Sequence, residues 1–148
     1  MVENLDTCNQ GAPFPMAKTL MDLVSAARGR VTEIDPAALE AEISAAGDLL
    51  LVDVREPDEY RLGHLPGAVP IPRGIIEPAA DLRFPKRHPE LSQARQRRVV
   101  LYCATGGRSA LACDVLQEMG FENVASLAGG YDAWETATLE VVAEETTR

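Results

Sequence analysis

Six consecutive residues in the second half of the chain have the makings of a reactive turn: Cys103, Ala104, Thr105, Gly106, Gly107 and Arg108. The preceding residues 99–102 are apolar and read as a buried strand. After the turn, Ala112, Val115, Leu116 and Met119 recur at helical spacing on one face. The cysteine therefore stands between the end of a strand and the start of a helix. Helix N-termini leave backbone amides unpaired and carry partial positive charge, so a thiolate or persulfide anion at Cys103 would be stabilised there. Gly106 and Gly107 remove side chains where those amides could turn inward. The thiolate is the nucleophilic form of cysteine, and Arg108 adds a guanidinium at the far end of the turn. The competing reading is a packing cysteine at a strand end, because glycine-rich turns after strands are common.

The elements that must hold this turn are those of an α/β protein. From residue 31 short apolar runs alternate with helical segments, the signature of a parallel sheet flanked by helices. Asp35 and Pro36 mark a helix start, Leu39, Ile43 and Ala46 form its apolar stripe, and Gly47 is its expected end. Residues 49–54 are continuously apolar apart from Asp53, which suits a strand buried on both faces. A short strand is expected at 69–71, a helix ending near Gly120, a strand at 124–127 and a last helix at 131–136. Residues 74–98, with poor periodicity, read as a short helix and an irregular connection. At the N-terminus, 1–15 read as a flexible lead. Leu20, Leu23, Val24 and Ala27 predict a short amphipathic helix over 16–28. That helix either covers its own domain or serves partner docking or homodimer formation.

Bulk properties narrow the function. A chain of 148 residues fits one domain, and the net charge of -9 argues against a nucleic acid partner, whose binding rests on Lys and Arg. Ten of the fourteen basic residues fall between positions 55 and 108 against six acidic ones, so an anion site is expected in that stretch. No apolar run is long enough for a membrane helix and no secretory leader is evident, so a cytoplasmic location is expected. Cys8, Cys103 and Cys113 match neither a metal knuckle nor a disulfide framework, so neither metal nor other cofactor is implied.

Four pieces resemble the rhodanese domain in order and spacing: Leu-Val-Asp-Val-Arg-Glu at 51–56, Gly-His-Leu-Pro-Gly-Ala at 63–68, Cys-Ala-Thr-Gly-Gly-Arg-Ser at 103–109, and Leu-Ala-Gly-Gly-Tyr-Asp-Ala-Trp at 127–134. The likeness spans about residues 31–137, leaving 1–30 as an N-terminal extension and 138–148 as a C-terminal tail. It implies a five-stranded parallel sheet with helices on both faces and a catalytic Cys103. Cys103 would take the outer sulfur of a small anionic donor such as thiosulfate and pass it, as a persulfide, to cyanide or a thiol. The resemblance also implies that residues 104–108 bind the donor, with Asp53, Arg55 and Ser109 in support beneath the loop. A persulfide carrier serving a sulfur-relay protein, with little turnover of small donors, is the alternative. Ala104 matches neither of the specialised two-domain patterns, which leaves the donor open.

The same fold resembles dual-specificity phosphatases and arsenate reductases, whose loop has five residues between cysteine and arginine. Here there are four, and Tyr102 stands where the phosphatase pattern usually has His, so phosphate is expected to fit poorly. Among the remaining polar residues, His64 reads as a hydrogen-bonded turn residue and His88 as surface. Arg73 is a candidate for the pocket rim and Cys113 for the core; Cys8, in the flexible lead, is read as having no role ahead of the alternative of a resolving thiol, while Tyr131 and Trp134 are expected to pack the last helix.

Overall fold

In the computed structural model, which describes residues 17–144, the chain begins with α1 (Leu20–Arg28), β1 (Thr32–Ile34), α2 (Pro36–Ser44) and β2 (Leu49–Asp53). It continues through α3 (Pro57–Leu62), β3 (Val69–Pro70), α4 (Ile76–Ala80) and β4 (Arg98–Tyr102). The last elements are α5 (Gly107–Glu118), β5 (Val124–Leu127) and α6 (Gly130–Thr136). All five strands pair in parallel in the order β1-β5-β4-β2-β3, which is the expected sheet. β4 is central, and Cys103 leaves its C-terminal end.

Side chains alternate across a strand, so β2 and β4 each feed two cores. Leu50, Val52, Val99 and Leu101 point to one face, where they meet Ile76, Leu91, Ala112 and Leu116. Leu51, Val100 and Tyr102 point to the other, where they meet Leu39, Leu65 and Trp134. Burial on both faces explains the unbroken apolar runs.

The helix boundaries follow local chemistry. Asp35 caps α2 by accepting from the Ala38 amide at 2.8 Å, with Pro36 in the first turn. The helix stops before Gly47, because Ala46 takes a left-handed conformation (φ 56°) and is exposed, so the buried stripe ends at Ile43. Thr19 and Asp22 cap α1 reciprocally, at 3.1 and 2.9 Å. α1 packs against α5 through Val24 and Ala27, but Leu20 and Leu23 are 65% and 47% exposed, so half of its expected buried stripe faces outward. Two elements had no clear signal in the sequence: β1, three residues long, and α3, none of whose residues is fully buried. The lead at 1–15 and Cys8 lie outside the described residues. No helix among the described residues is long and apolar enough to cross a membrane.

Residues after α6 return to the domain. Leu139 packs into the second core, and the Trp134 indole donates to the Glu140 carbonyl at 2.8 Å. Val142 pairs with His64 as an antiparallel bridge, with N···O distances of 2.8 and 2.9 Å. The His64 ring stacks 3.6 Å from Tyr60, and its Nδ1 donates to the Tyr60 carbonyl at 2.8 Å.

Two features fix the top of the sheet. Asp53 and Tyr102 are register partners across β2 and β4, and the buried Asp53 carboxylate accepts the Tyr102 hydroxyl at 2.7 Å. It also accepts Arg55 Nη2 at 2.7 Å, Arg55 Nε at 3.0 Å and the Arg55 amide at 2.9 Å. The second feature is the Gly129–Gly130 turn between β5 and α6. Gly130 has φ 62°, and a Cβ there would lie 2.5 Å from the Cys103 carbonyl oxygen.

Asp53→Ala strands the Arg55 guanidinium in the interior and is expected to lower unfolding free energy by about 3–5 kcal/mol. Tyr102→Phe removes two hydrogen bonds, one to Asp53 and one from the Leu65 amide, and is expected to cost about 1–3 kcal/mol. Urea denaturation reads both, and wild-type midpoints would refute a structural role for the cluster. Gly130→Ala, strained in φ and crowded against the cysteine loop, is expected to cost more than about 1 kcal/mol in the same assay.

Candidate active site

The Cys103 sulfur sits at the start of the turn with backbone donors aimed at it. Gly106 N–H approaches Sγ at 3.1 Å and Ser109 N–H at 3.3 Å. Gly106 reaches this position with φ 105°, in the left-handed region, which is the physical reason for glycine at the helix N-cap. Gly107 and Arg108 open α5, so their amides have no acceptor within the helix. The result is a set of fixed dipoles pointing at the sulfur, an arrangement suited to an anion.

Ser109, to which the resemblance gives a supporting role, faces the sulfur directly. Its hydroxyl lies 3.5 Å from Sγ, 3.3 Å from the Gly106 carbonyl and 2.8 Å from the Ser126 hydroxyl. A hydroxyl has one proton. When Ser109 donates to a thiolate, Ser126 is free to donate to Ser109, and the charge on sulfur is shared along the chain. Ser126 was not picked out in the sequence, although a single hydroxyl within the buried apolar run of β5 is the kind of residue that needs a partner.

The rest of the loop is clamped from α6. Tyr131 N–H donates to the Cys103 carbonyl at 2.8 Å and Asp132 N–H to the Ala104 carbonyl at 3.0 Å. Tyr131 in turn lies under Arg55, whose guanidinium carbon is 4.2 Å from the ring centre. Asp53 and Arg55 thus reach the sulfur only through other groups, which is a positioning role. Burial and the neighbouring Asp53 charge raise the Tyr102 phenol well above its usual range, so it stays a proton donor to that carboxylate.

Arg108 borders the cavity above Cys103 but is held by Glu59 of α3, at 3.1 and 3.4 Å. The hydrogen bond from Arg108 lowers the Glu59 carboxyl below its ordinary value, and the same bond raises Arg108. Glu59 carried no signal in the sequence. Thr105 is exposed, Gly107 is half-buried, and both line the cavity, whose volume is about 250 Å³. The opposite wall comes from α1 and includes Arg28, which lies outside the basic stretch where an anion site was expected.

Other candidates fall elsewhere. Arg73 pairs with Glu77 at 3.1 Å and is not among the residues lining this cavity. His88 accepts the Glu90 and Leu91 amides at 3.1 and 3.2 Å, which gives it a local capping role. Cys113 is fully buried, and burial, then the charge of Cys103, pushes its thiol up, making it a poor nucleophile. Trp134 is a core residue.

Residues 35–137 match the rhodanese-like domain family. A sulfurtransferase of Allochromatium vinosum is 37% identical over 115 residues, covering 78% of this chain and 98% of that protein. A putative sulfurtransferase of Bacillus subtilis, YtwF, is 37% identical over 108 residues, covering 73% of this chain and 94% of the relative. Among solved structures, a Rhodopseudomonas palustris protein of unknown function, described as a possible tyrosine phosphatase, superposes with a TM-score of 0.79 at 32% identity. The superposition covers 88% of this chain and 98% of that one. Sequence and shape agree over the greater part of its length, and the chain belongs to the rhodanese-like domain family.

Proposed function

We propose that this chain is a thiosulfate sulfurtransferase-like enzyme that works through a Cys103 persulfide. The observation that carries the reading is the sulfur itself: Cys103 Sγ, at the edge of a cavity, accepts two backbone amides and faces a hydroxyl. The Cys103 thiolate attacks the outer sulfur of thiosulfate. The S–S bond of the donor breaks, its electron pair leaves with sulfite, and the terminal sulfur stays on Cys103 as a persulfide anion. Cyanide or a thiolate then attacks that terminal sulfur and returns Cys103 as a thiolate. Charge is conserved in both steps, so the cycle calls for no general base, and amide donors around the sulfur are the groups that matter. One such preorganised donor is typically worth about 3 kcal/mol. Two free buried thiols, Cys103 and Cys113, suit the reducing setting of a cytoplasmic enzyme.

The carrier reading, in which a relay protein loads the sulfur, draws on Arg108, because a guanidinium engaged by Glu59 is less available to capture a small anion. A phosphatase reading follows from the Rhodopseudomonas neighbour. The four-residue gap between Cys103 and Arg108, with Arg108 turned to Glu59, weighs against it, since phosphoryl transfer needs an arginine aimed at the phosphate oxygens.

Intact-protein mass after incubation with thiosulfate is expected to rise by the mass of one sulfur atom and to fall back with cyanide. Cys103→Ser abolishes the gain, whereas Cys113→Ser and Cys8→Ser keep it; the reverse pattern would sink the assignment. Negligible steady-state turnover with rapid transfer from a protein donor would select the carrier reading. Arg108→Ala is expected to raise KM for thiosulfate about tenfold. An unchanged KM would make Arg108 a tether for α3 alone. Hydrolysis of p-nitrophenyl phosphate is expected at background, and Cys103-dependent turnover there would favour the phosphatase reading.

A further inference from the structure

Helix α1 lies outside the residues matched by the family, yet it walls the cavity above Cys103. Val24 is buried within contact of the loop: a Cβ on Gly107 would lie 3.5 Å from its Cγ2. Leu20 and Met21 border the same cavity and are 65% and 62% exposed, and Leu111 of α5 adds a further aliphatic side chain. Arg28, in the last turn of α1, brings a cation to this wall. Its Nη2 lies 3.1 Å from where a Cβ on Gly106 would be, so it sits against the backbone that cradles the sulfur. Arg28 Nε is paired with Glu33 of β1 at 3.4 Å, which orients the guanidinium while Nη2 faces the loop.

Inorganic thiosulfate is small and strongly hydrated, and aliphatic side chains do nothing for it. A cavity of about 250 Å³ with a nucleophile, aliphatic residues and two guanidiniums, Arg28 and the Glu59-bound Arg108, fits an organic anion with an apolar body. We propose that α1 is the specificity element of this site. Arg28 binds the anionic end of a donor whose apolar body rests on Leu20, Met21 and Val24, so the preferred substrate is an organic anion carrying a terminal sulfane sulfur. The proposal rests on the sulfur-transfer reading above. With an aryl thiosulfonate, the Cys103 thiolate attacks the terminal sulfur and the bond from that sulfur to the sulfonyl sulfur breaks. Its electron pair leaves as the aryl sulfinate and Cys103 keeps the persulfide. Two negative charges enter and two remain, and no oxidant is needed.

The test uses the full chain with benzenethiosulfonate and thiosulfate as donors, and with benzenesulfinate and sulfite as protectants of Cys103 against iodoacetamide. The wild type is expected to favour the aryl donor in kcat/KM and to be protected better by the sulfinate. Leu20→Ser with Met21→Ser, at positions exposed enough to accept serine without unfolding, is expected to cut that preference about tenfold. Arg28→Ala is expected to raise KM for the aryl donor about tenfold with a smaller change in kcat, and Arg28→Lys to recover part of the loss. Equal use of the two donors by the wild type, or a preference that ignores these substitutions, overturns the proposal. Persulfide from thiosulfate alone leaves sulfur transfer standing and removes the role of α1. Selective protection by the sulfinate without sulfur loading from either donor removes the transfer reading and keeps the selectivity of the cavity.

Discussion

The active end of the sheet depends on one buried carboxylate. Asp53 has no exposed surface and takes its hydrogen bonds from the Arg55 side chain and amide and from the Tyr102 hydroxyl. A buried ion pair adds little net stability, because removing two charges from water offsets most of their attraction. What it does here is geometric. Arg55 Nη2 also donates to the Gly63 carbonyl at 2.6 Å, and the Tyr102 hydroxyl accepts the Leu65 amide at 3.1 Å. The guanidinium stacks on Tyr131, whose amide grips the Cys103 carbonyl. Loops after β2, α3 and β5 are thereby referred to a single point, and the cysteine loop inherits its position from them.

Within that frame, the groups that face the sulfur are mainly dipoles. Gly106 and Ser109 offer amides, while Ser109 and Ser126 offer a hydroxyl chain behind them. Fixed dipoles stabilise an anion whether it is a thiolate or a persulfide, so one arrangement would serve both states of the proposed cycle. The two guanidiniums near the cavity differ in how they are restrained. Arg108 is drawn toward α3 by two contacts with Glu59, at 3.1 and 3.4 Å, and Arg28 is held by one contact with Glu33, at 3.4 Å.

The sheet was legible in the sequence because β2, β4 and β5 are buried apolar runs, and the helices beside them carry caps or apolar stripes. β1 and α3 were not: a three-residue strand and a six-residue helix without a fully buried side chain give periodicity nothing to register. The cysteine loop was legible from its glycines. Asp53, Arg55 and Ser109 entered as its supports through the family resemblance, but the contacts that hold it come from distant segments and were not legible. Tyr102 meets Asp53 across 49 residues and Arg108 meets Glu59 across the same separation, pairings that no local pattern records. Leu20 and Leu23 show the limit of amphipathic reasoning: helical spacing identified the helix, but only Val24 and Ala27 found a surface to bury against.

The return of the chain after α6 has a practical consequence. The matched family segment stops at residue 137, but Leu139 and the Val142 bridge to His64 lie beyond it, just as α1 lies before it. A fragment trimmed to the family limits would lose the strap across the α3–β3 turn and bare the aliphatic flank of α5 that Val24 and Ala27 cover. Such a fragment would keep every residue of the cysteine loop while exposing apolar surface that invites self-association. For this protein the smallest unit that keeps its apolar faces covered is larger than the smallest recognisable one.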